Sequence, residues 1–272
     1  MRAILTTLAL QFAIAAPAAA DDWLYAAAPG PEATPDASSD VLWRDGIPIG
    51  VRSIRAWHAQ AGWLANRLAA KGLRLGDAVH LRIFKHSREL DVYLERGGRF
   101  VRYRTLPICD VSGSLGPKRF EGDLQAPEGF YSVRPELLHP NSDFHLAFNL
   151  GYPNAYDRAL GRTGSNIMIH GGCASRGCFA ISDYYMEQLW VLAEAALRAG
   201  QERIGVEIYP FRMSDANLRA HAGLRWFEFW RSLKPAHDHF VRVGRPAPVE
   251  VGVDGYRVAD DRAADLGRIT AP

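Results

Sequence analysis

The stretch VHLRIFKHSRELDVYLERGGRFVRYRT, residues 79–105, decides the fold class of this chain. Val79 begins a run in which apolar and polar residues alternate, and the same alternation returns in residues 90–94. A period of two places successive side chains on opposite faces of a strand, so both segments are predicted to be strands. A Gly-Gly pair at 97–98 then separates them from a third apolar run at 100–105, as the turn of a hairpin or meander would.

Helical periodicity lies on both sides of this β-rich region. Apolar residues recur every three or four positions in residues 51–71 and again in residues 184–199, and an aromatic-rich helix candidate begins near residue 226. The remaining predicted elements are a long Gly- and Pro-rich loop at 110–130 and strands at 130–133, 166–170 and 204–208. Together these elements predict a mainly β (α+β) core with helices attached before and after it.

Composition excludes several classes of protein. The 272 residues are 48% hydrophobic and 11% aromatic, which is enough to build a packed interior and excludes wholesale disorder. The 32 Lys and Arg residues against 30 Asp and Glu residues exclude the strongly basic surface of a dedicated nucleic-acid binder. Three cysteines are too few for a disulfide-stapled miniature protein, and their odd number leaves at least one thiol unpaired within a monomer.

The N-terminus has the pattern of a secretory signal. Arg2 is followed by a short apolar run and by three alanines that end at Ala20, so residues 1–20 are predicted to be a signal peptide cleaved after about Ala20. Residues 28–40 are rich in Pro, Ala and Ser, and we predict a flexible linker over residues 21–50. No stretch approaches the length of a membrane span, so the mature protein is expected in an oxidising compartment outside the cytoplasm.

The densest chemical signal is IMIHGGCASRGCFA, residues 167–180. It brings His170, Cys173 and Cys178 together among glycines, which permit tight backbone turns. A free thiol is only a few per cent thiolate at neutral pH, so a nucleophilic cysteine needs a base, and His170 can serve if the loop folds back on itself. Gly177, just before Cys178 and upstream of a helix, is expected to leave backbone N–H groups free to bind an oxyanion.

The same residues allow three other interpretations. His170, Cys173 and Cys178 could ligate zinc, although no fourth ligand is evident. Cys173 and Cys178 could instead form a disulfide, or the whole segment could be a structural loop with inert thiols. From the residues alone, these three interpretations remain open alongside the interpretation of a nucleophilic cysteine.

The segment resembles a known catalytic signature. His170-Gly171 followed by Ser175-Arg176-Gly177-Cys178 resembles the His-Gly and Ser-x-Gly-Cys signature of the L,D-transpeptidase (YkuD-type) catalytic domain of cell-wall enzymes. Roughly from residue 79 to residue 240, the chain is similar to one branch, the YafK/DpaA-like murein L,D-transpeptidase homologues. The segments that carry this likeness are LRIFK at 81–85, PIC at 107–109, SGSLGPK at 112–118, EGDLQAPEGFY at 121–131, GYPNAYDRA at 151–159 and YPFRM at 209–213.

The resemblance implies a fold and a domain layout. The fold would be an L,D-transpeptidase-type β-sandwich with a helix after the catalytic loop and with helical N- and C-terminal extensions. The expected layout after the linker is an N-terminal helical segment at 51–78, a catalytic domain at 79–210, a C-terminal helical extension at 211–255 and a disordered tail at 256–272.

The resemblance also implies roles for single residues. Cys178 would attack an amide carbonyl of a diaminopimelate-containing stem peptide and form a thioester, with His170 as general base and acid. Gly171 would orient the imidazole through its carbonyl, and the backbone amides of Gly177 and Cys178 would hold the oxyanion. No metal or organic cofactor is expected. The candidate substrate-binding residues are Arg176, Ser175, Lys118, Tyr131, Tyr152, Asn154, Arg162 and Arg212.

Arg176 departs from the wider family, in which a second histidine stands in Ser-His-Gly-Cys. The branch without that histidine includes an enzyme that hydrolyses the link between diaminopimelate and an outer-membrane lipoprotein. The resemblance therefore implies hydrolysis of a diaminopimelate–lysine link in the periplasm, with peptidoglycan stem peptides and a peptidoglycan-anchored outer-membrane protein as partners. The alternatives are a transpeptidase that forms peptidoglycan–peptidoglycan or peptidoglycan–protein cross-links, and a non-catalytic envelope-binding module.

Cys173 could pair with Cys109, which would leave Cys178 free, or remain inert in the loop.

Overall fold

A computed structural model of the chain describes residues 41–252 and 255–259. The strands of this part are β1 (Leu42–Arg44), β2 (Ile47–Ile49), β3 (Val79–Phe84), β4 (Glu89–Arg96), β5 (Arg99–Pro107), β6 (Asp110–Val111), β7 (Gly129–Val133), β8 (Leu138–His139), β9 (Ala147–Asn149), β10 (Met168–His170), β11 (Phe179–Ala180), β12 (Ile204–Tyr209), β13 (Val249–Gly252) and β14 (Gly255–Val258). The helices are α1 (Val51–Ala69), α2 (Ala155–Ala159), α3 (Ser182–Arg198), α4 (Asp215–Ala220) and α5 (Phe227–Val243).

Two five-stranded sheets form the centre of the molecule. The first has the order β5-β4-β3-β12-β7, in which the predicted meander β3–β5 is antiparallel and β12 runs parallel to β3. The second has the order β6-β11-β10-β9-β8, and its β10 and β11 are parallel to each other. The mainly β (α+β) class predicted from the alternation of residues is therefore confirmed.

One hydrophobic core joins both sheets to two helices. Leu81 of the first sheet and Phe148 of the second belong to the same cluster of buried side chains as Leu64 of α1 and Trp190 of α3. Each of these side chains is fully buried, and burying a large apolar side chain contributes about 1.5–3 kcal/mol. The predicted helices at 51–71 and 184–199 thus form where expected, because their apolar stripes complete this core.

A second cluster packs α5 against the first sheet. It includes Trp230 and Leu233 of α5. The ring of Phe240, on the same helix, lies 4.4 Å from the guanidinium of Arg82 on β3. Arg82 in turn donates to Glu207 of β12 over 2.7 Å, and both side chains are buried. Burial alone would raise the pKa of Glu207, but the adjacent Arg82 and hydrogen bonds from His80 and Tyr209 hold it at about 2.

The predicted linker at 21–50 is wrong over its last residues. β1 and β2 form an antiparallel hairpin, and Ile47 and Ile49 are buried. The reason is the Asp45-Gly46 pair, since both residues take positive φ angles (52° and 73°), as a type I′ hairpin turn requires. Residues 21–40, like the predicted signal peptide, lie outside the described residues.

The C-terminal prediction also needs correction. The region after α5 is not wholly helical, because β13 and β14 form an antiparallel hairpin that reaches into the predicted tail at 256–272. The cause is packing: Tyr256 is buried against the aromatic cluster around α5. Residues 260–272 lie outside the described part. Within residues 41–252 and 255–259, none of the helices is both long and apolar enough to cross a membrane.

Replacing Glu207 with Gln is expected to destabilise the fold by about 3–5 kcal/mol, because it leaves the Arg82 charge buried without its partner. The folded-state pKa of Glu207 is depressed to about 2 from an ordinary value of 4.5, so its stabilisation is complete above pH 4.5 and is lost as the pH falls towards 2. Urea unfolding of the wild type and of Glu207→Gln at several pH values should therefore show a difference in unfolding free energy that becomes smaller in acid. Glu202→Gln, an exposed position just before the same strand, is the matched control and should change stability by less than about 0.5 kcal/mol. A Glu207→Gln protein as stable as the wild type at pH 7 would contradict this account of the pair.

Candidate active site

The pairing of β10 with β11 brings the two ends of the Gly-rich motif together. His170 is the last residue of β10 and lies opposite Ala180 of β11 in the parallel register. Cys178 immediately precedes β11, two residues before Ala180. Because side chains alternate along a strand, this register places Cys178 diagonally from His170 on one face of the pair. The loop therefore folds back as a histidine–cysteine pair requires.

His170 is buried and held in one tautomer. Its Nδ1 donates to the carbonyl oxygen of Gly171 over 2.5 Å, and because a carbonyl oxygen only accepts, the proton of the neutral ring is on Nδ1. Burial lowers the pKa of His170, against the opposing effects of this hydrogen bond and of the negative charge on Asp110. At neutral pH the imidazole is therefore uncharged, with the lone pair of Nε2 available to accept a proton.

Cys178 is a partly buried free thiol. Its Sγ lies 3.5 Å from the carbonyl oxygen of Asn166 and donates to it. Burial raises the pKa of the Cys178 thiol, while hydrogen bonding from the Met168 backbone and the positive charge of Lys118 act in the opposite direction. The resting site is thus a neutral thiol beside a neutral imidazole, rather than a thiolate–imidazolium pair.

The other two cysteines form a disulfide between Cys109 and Cys173, whose Cα atoms are 5.6 Å apart. This bond rules out a Cys173–Cys178 disulfide and removes Cys173 as a zinc ligand. Within residues 41–252 and 255–259, no three His, Cys, Asp or Glu side chains come together in a way that could hold a metal ion. The bond ties the segment after β5 to the middle of the motif, and it leaves Cys178 with the single free thiol of the chain.

Three polar side chains brace the loop between His170 and Cys178. Asp110 accepts from the Ser175 N–H over 2.7 Å, and the Ser175 hydroxyl donates to the Cys178 carbonyl over 2.8 Å. Ser112 accepts from the Gly177 N–H. The last contact corrects the sequence-based role of Gly177, because its N–H is already engaged and is not free for an oxyanion. Gly177 is needed for its positive φ of 109° and for its close approach to the Gln125 carbonyl.

Of the predicted substrate-binding residues, three lie at or beside this site. Arg176 is exposed next to Gly177, and its side chain has no hydrogen bond or ion pair within residues 41–252 and 255–259. Lys118 is buried, donates to Asp123 over 2.6 Å, and acts electrostatically on the Cys178 thiol. Tyr152 lies beside Lys118, with its ring 5.9 Å from the ammonium group and its hydroxyl donating to the Lys118 carbonyl.

The remaining predicted binding residues have hydrogen-bond or ion-pair partners within the protein. Tyr131 and Arg162 both bind the buried carboxylate of Asp157, and Asn154 caps the short helix α2 by accepting from the Asp157 N–H. Arg212 is bound by Glu89 and Asp91 of β4. Their polar groups are occupied in these internal networks, through which the four residues help to hold the fold together. Ser175 is likewise a brace of the loop.

Two shallow cavities adjoin the bracing segment. The first, of about 180 Å³, is lined by residues 111–115 together with Lys85, His86 and Arg88. The second, of about 220 Å³, includes Arg119, Phe120, Arg225 and Trp226. Because Ser112 contacts the Gly177 backbone, the first cavity borders the loop that carries Cys178.

Sequence reasoning missed the residues that support the site from outside the motif. Asp110 and Ser112 reach the loop from β6 and the segment after it, and the carboxylate of Asp183 accepts from the Gly172 N–H over 2.7 Å. Asp183 could have been found, since an acidic residue in the first turn of α3 is a common helix-start signal. Phe144, whose ring lies 4.6 Å from that of His170, carries no such signal because it lies in an irregular loop.

A family model and two known proteins of similar sequence indicate the same family. The family described as the L,D-transpeptidase catalytic domain, YkuD, matches residues 78–206. The chain is 43% identical over 185 residues to the Escherichia coli K12 protein "Putative L,D-transpeptidase YafK", an alignment that covers 68% of this chain and 75% of that protein. The same figures hold for its namesake in Escherichia coli O157:H7.

Two solved structures show more distant similarity. The helical cell shape determining protein Pgp2 of Campylobacter jejuni is 23% identical, with a TM-score of 0.40 over 57% of this chain and 58% of that one. The Bdellovibrio bacteriovorus protein Bd1075 is 19% identical, with a TM-score of 0.36 over 61% of this chain and 56% of that one. The chain thus spans less than two thirds of the length of each.

Alkylation of the free thiol tests the neutral resting pair. Because burial raises the pKa of Cys178, the rate of its reaction with iodoacetamide should keep rising with pH beyond the range where an ordinary thiol, with a pKa of about 8.5, has levelled off. Cys178 carries the single free thiol, so intact-protein mass spectrometry follows it without interference. A rate that is already at its plateau at pH 7 would show a thiolate–imidazolium pair and overturn this assignment.

Substituting Gly177 with Ala should displace Cys178. The added methyl group would lie 3.3 Å from the Gln125 carbonyl oxygen and from Ile167 Cδ1, at a φ of 109° that an alanine rarely adopts. We expect any Cys178-dependent turnover to fall by roughly 100-fold, as small displacements of reacting groups do. Gly161→Ala is the matched control, because Gly161 also has a positive φ but has open space around it. Equal turnover in the two variants would argue against a positioning role for Gly177.

Proposed function

Because the chain belongs to the L,D-transpeptidase (YkuD) family, as its Gly-rich motif predicted, we propose that it is a cell-wall cysteine enzyme acting on diaminopimelate-containing stem peptides of peptidoglycan. The observation that carries the proposal is the juxtaposition of a free thiol, Cys178, with a buried neutral imidazole, His170, across β10 and β11. A thiol and a base within one short loop are the two groups that nucleophilic acyl transfer requires.

The first half of the reaction forms a thioester. The Cys178 sulfur attacks the amide carbonyl of the stem peptide while its proton passes to Nε2 of His170. The imidazolium, held by its Nδ1–H bond to Gly171, then returns that proton to the leaving amine as the C–N bond breaks. General acid–base catalysis of this kind contributes roughly 10²–10⁴ in rate.

Negative charge develops on two atoms during this step. The charge on sulfur is favoured by the Met168 backbone and by Lys118, which lower the cost of ionising the buried thiol. For the charge on the carbonyl oxygen, we assign the backbone N–H of Cys178 as the donor, because the Gly177 N–H is bound by Ser112. Of the two amides predicted from the sequence, the proposal thus keeps that of Cys178.

The second half of the reaction decides between hydrolysis and cross-linking. We propose that water resolves the thioester and that the bond cleaved is the diaminopimelate–lysine link between peptidoglycan and an outer-membrane (lipo)protein. Two features support this choice: Arg176 replaces the second histidine of the cross-linking enzymes, and its exposed cation beside Cys178 suits the carboxylate of diaminopimelate or of a terminal lysine. The alternative, transfer to an amine acceptor, is favoured by the description of the Escherichia coli relatives as L,D-transpeptidases.

We place this activity in the periplasm. The Cys109–Cys173 disulfide is of the kind that persists in oxidising compartments, which supports export of the protein. The signal peptide predicted at residues 1–20 would provide that export.

Purified sacculi that still carry covalently bound outer-membrane protein provide the test. Incubation with the mature protein should release free protein or lysine-bearing peptide, identified by mass spectrometry. Cys178→Ala should release none, and His170→Gln should release it roughly 10²–10⁴ times more slowly. Thermal melting of both variants is the control for folding.

Other outcomes separate the alternatives. New diaminopimelate–diaminopimelate dimers with released D-alanine would make the protein a cross-linking transpeptidase. Identical products from wild type and Cys178→Ala would contradict catalysis and leave a non-catalytic envelope-binding module.

A further inference from the structure

An aromatic side chain from outside the motif covers the imidazole of His170. The ring of Phe144 lies 4.6 Å from the imidazole ring at a tilt of 38°. Phe144 is itself 48% exposed, so it stands between His170 and solvent rather than inside the core. The Phe144 carbonyl oxygen also lies only 2.8 Å from where a Cβ on Gly171 would be, so the two loops are in close contact.

The loop that carries Phe144 is held in an unusual conformation. His145 has a φ of 71°, in the left-handed region that residues with side chains rarely adopt. Its Nε2 donates to Glu187 of α3 over 3.1 Å, and the Phe144 N–H donates to the Ser142 hydroxyl over 3.1 Å. Residues in such conformations cost about 1–3 kcal/mol and persist where surrounding contacts over-determine them.

The helix α1 provides a second clamp on the same loop. Nη1 of Arg52 donates to the carbonyl oxygens of Ser142 and His145, which lie on either side of Phe144. Further along α1, Gln60 donates to Glu187, the residue that also binds His145. The family match begins at residue 78, so these contacts come from a segment that the family's catalytic domain does not include.

We propose that Phe144 is a positioning residue for His170, which packs on the imidazole, fixes its plane and excludes water from it, and that Arg52 of α1 holds it there. The proposal rests on the function proposed above, because it assigns Phe144 to the base of that reaction. It also gives α1 a purpose beyond packing: the helix sets the environment of the imidazole through one loop.

The charged groups around the imidazole are few. Burial, to which Phe144 contributes, lowers the pKa of His170, while its hydrogen bond to the Gly171 carbonyl and the negative charge of Asp110, on β6, raise it. Asp183 of α3 binds the neighbouring Gly172 N–H, while the His145–Glu187 pair and the cation of Arg52 face the Phe144 loop. Lys118 acts on Cys178 at the other end of the motif. None of these charges changes when Phe144 is replaced by an apolar residue, so such a variant tests the effect of burial alone.

The experiment compares Phe144→Ala with Phe144→Tyr. In Phe144→Ala the imidazole is exposed to water, so its pKa should rise towards the ordinary value and the acid limb of kcat/KM should move to higher pH. Turnover at the pH optimum should fall about tenfold or more, because the ring is less well oriented. Phe144→Tyr keeps an aromatic ring over the imidazole, so its acid limb of kcat/KM and its turnover should stay close to those of the wild type. Tyr184→Ala, which removes an exposed aromatic ring from the start of α3, is the control and should leave both unchanged.

An NMR titration of the imidazole keeps this test independent of the proposed function. The His170 resonances are followed with pH in the Cys178→Ala background, with and without Phe144→Ala, and the titration midpoint should rise when Phe144 is removed. If the wild type shows no turnover but the midpoint still rises, the proposed function fails and the positioning role stands. An unchanged midpoint, or an effect confined to KM, overturns the positioning role. Should Phe144→Ala fail to fold, Arg52→Ala tests the same contact, because releasing the loop should raise the midpoint in the same direction.

Discussion

The parallel pairing of β10 with β11 is the constraint on which the rest of this structure depends. Parallel strands need a crossover, and here it is a loop of only eight residues, 171–178, without a helix of its own. So short a connection is feasible because glycines turn the chain tightly and because the Cys109–Cys173 disulfide and the side chains of Asp110 and Ser112 hold the loop from outside. As a consequence, the loop ends at Cys178, which lies one strand away from His170.

Burial has opposite consequences for the Arg82–Glu207 pair and for the His170–Cys178 site. Between the first sheet and α5, burial is compensated by pairing, so Arg82 and Glu207 both remain charged. At the site, neither His170 nor Cys178 has a full charge partner, and burial therefore keeps both neutral. A neutral pair suits a reaction in which the proton leaves the sulfur only as the substrate carbonyl is attacked. It also makes the free thiol less prone to oxidation, since the thiolate is the reactive form.

Much of the fold followed from the sequence because its signals are local. The meander β3–β5, the helices α1 and α3 and the ends of the catalytic loop all follow from periodicity, glycines and one motif. The hairpin at Asp45-Gly46 was locally visible but was overlooked inside a Pro- and Ala-rich region. The contacts of Asn154 and Arg162 with Asp157 span only three and five residues, so they were locally visible. Tyr131 could not be placed from sequence, since its contact with Asp157 depends on how distant segments pack. Phe144 and Ser112 were missed for the same reason.

The most direct test of the central claim is to trap the thioester. A stem-peptide substrate whose diaminopimelate is linked to lysine is mixed with the protein, quenched in acid within the first turnover, and the adduct is located by peptide mass mapping. We predict an acyl group on Cys178 that disappears when the reaction is left to finish and that never forms in Cys178→Ala. Product release by Cys178→Ala, or an acyl group on any other residue, would contradict the account of Cys178 and His170 as nucleophile and base.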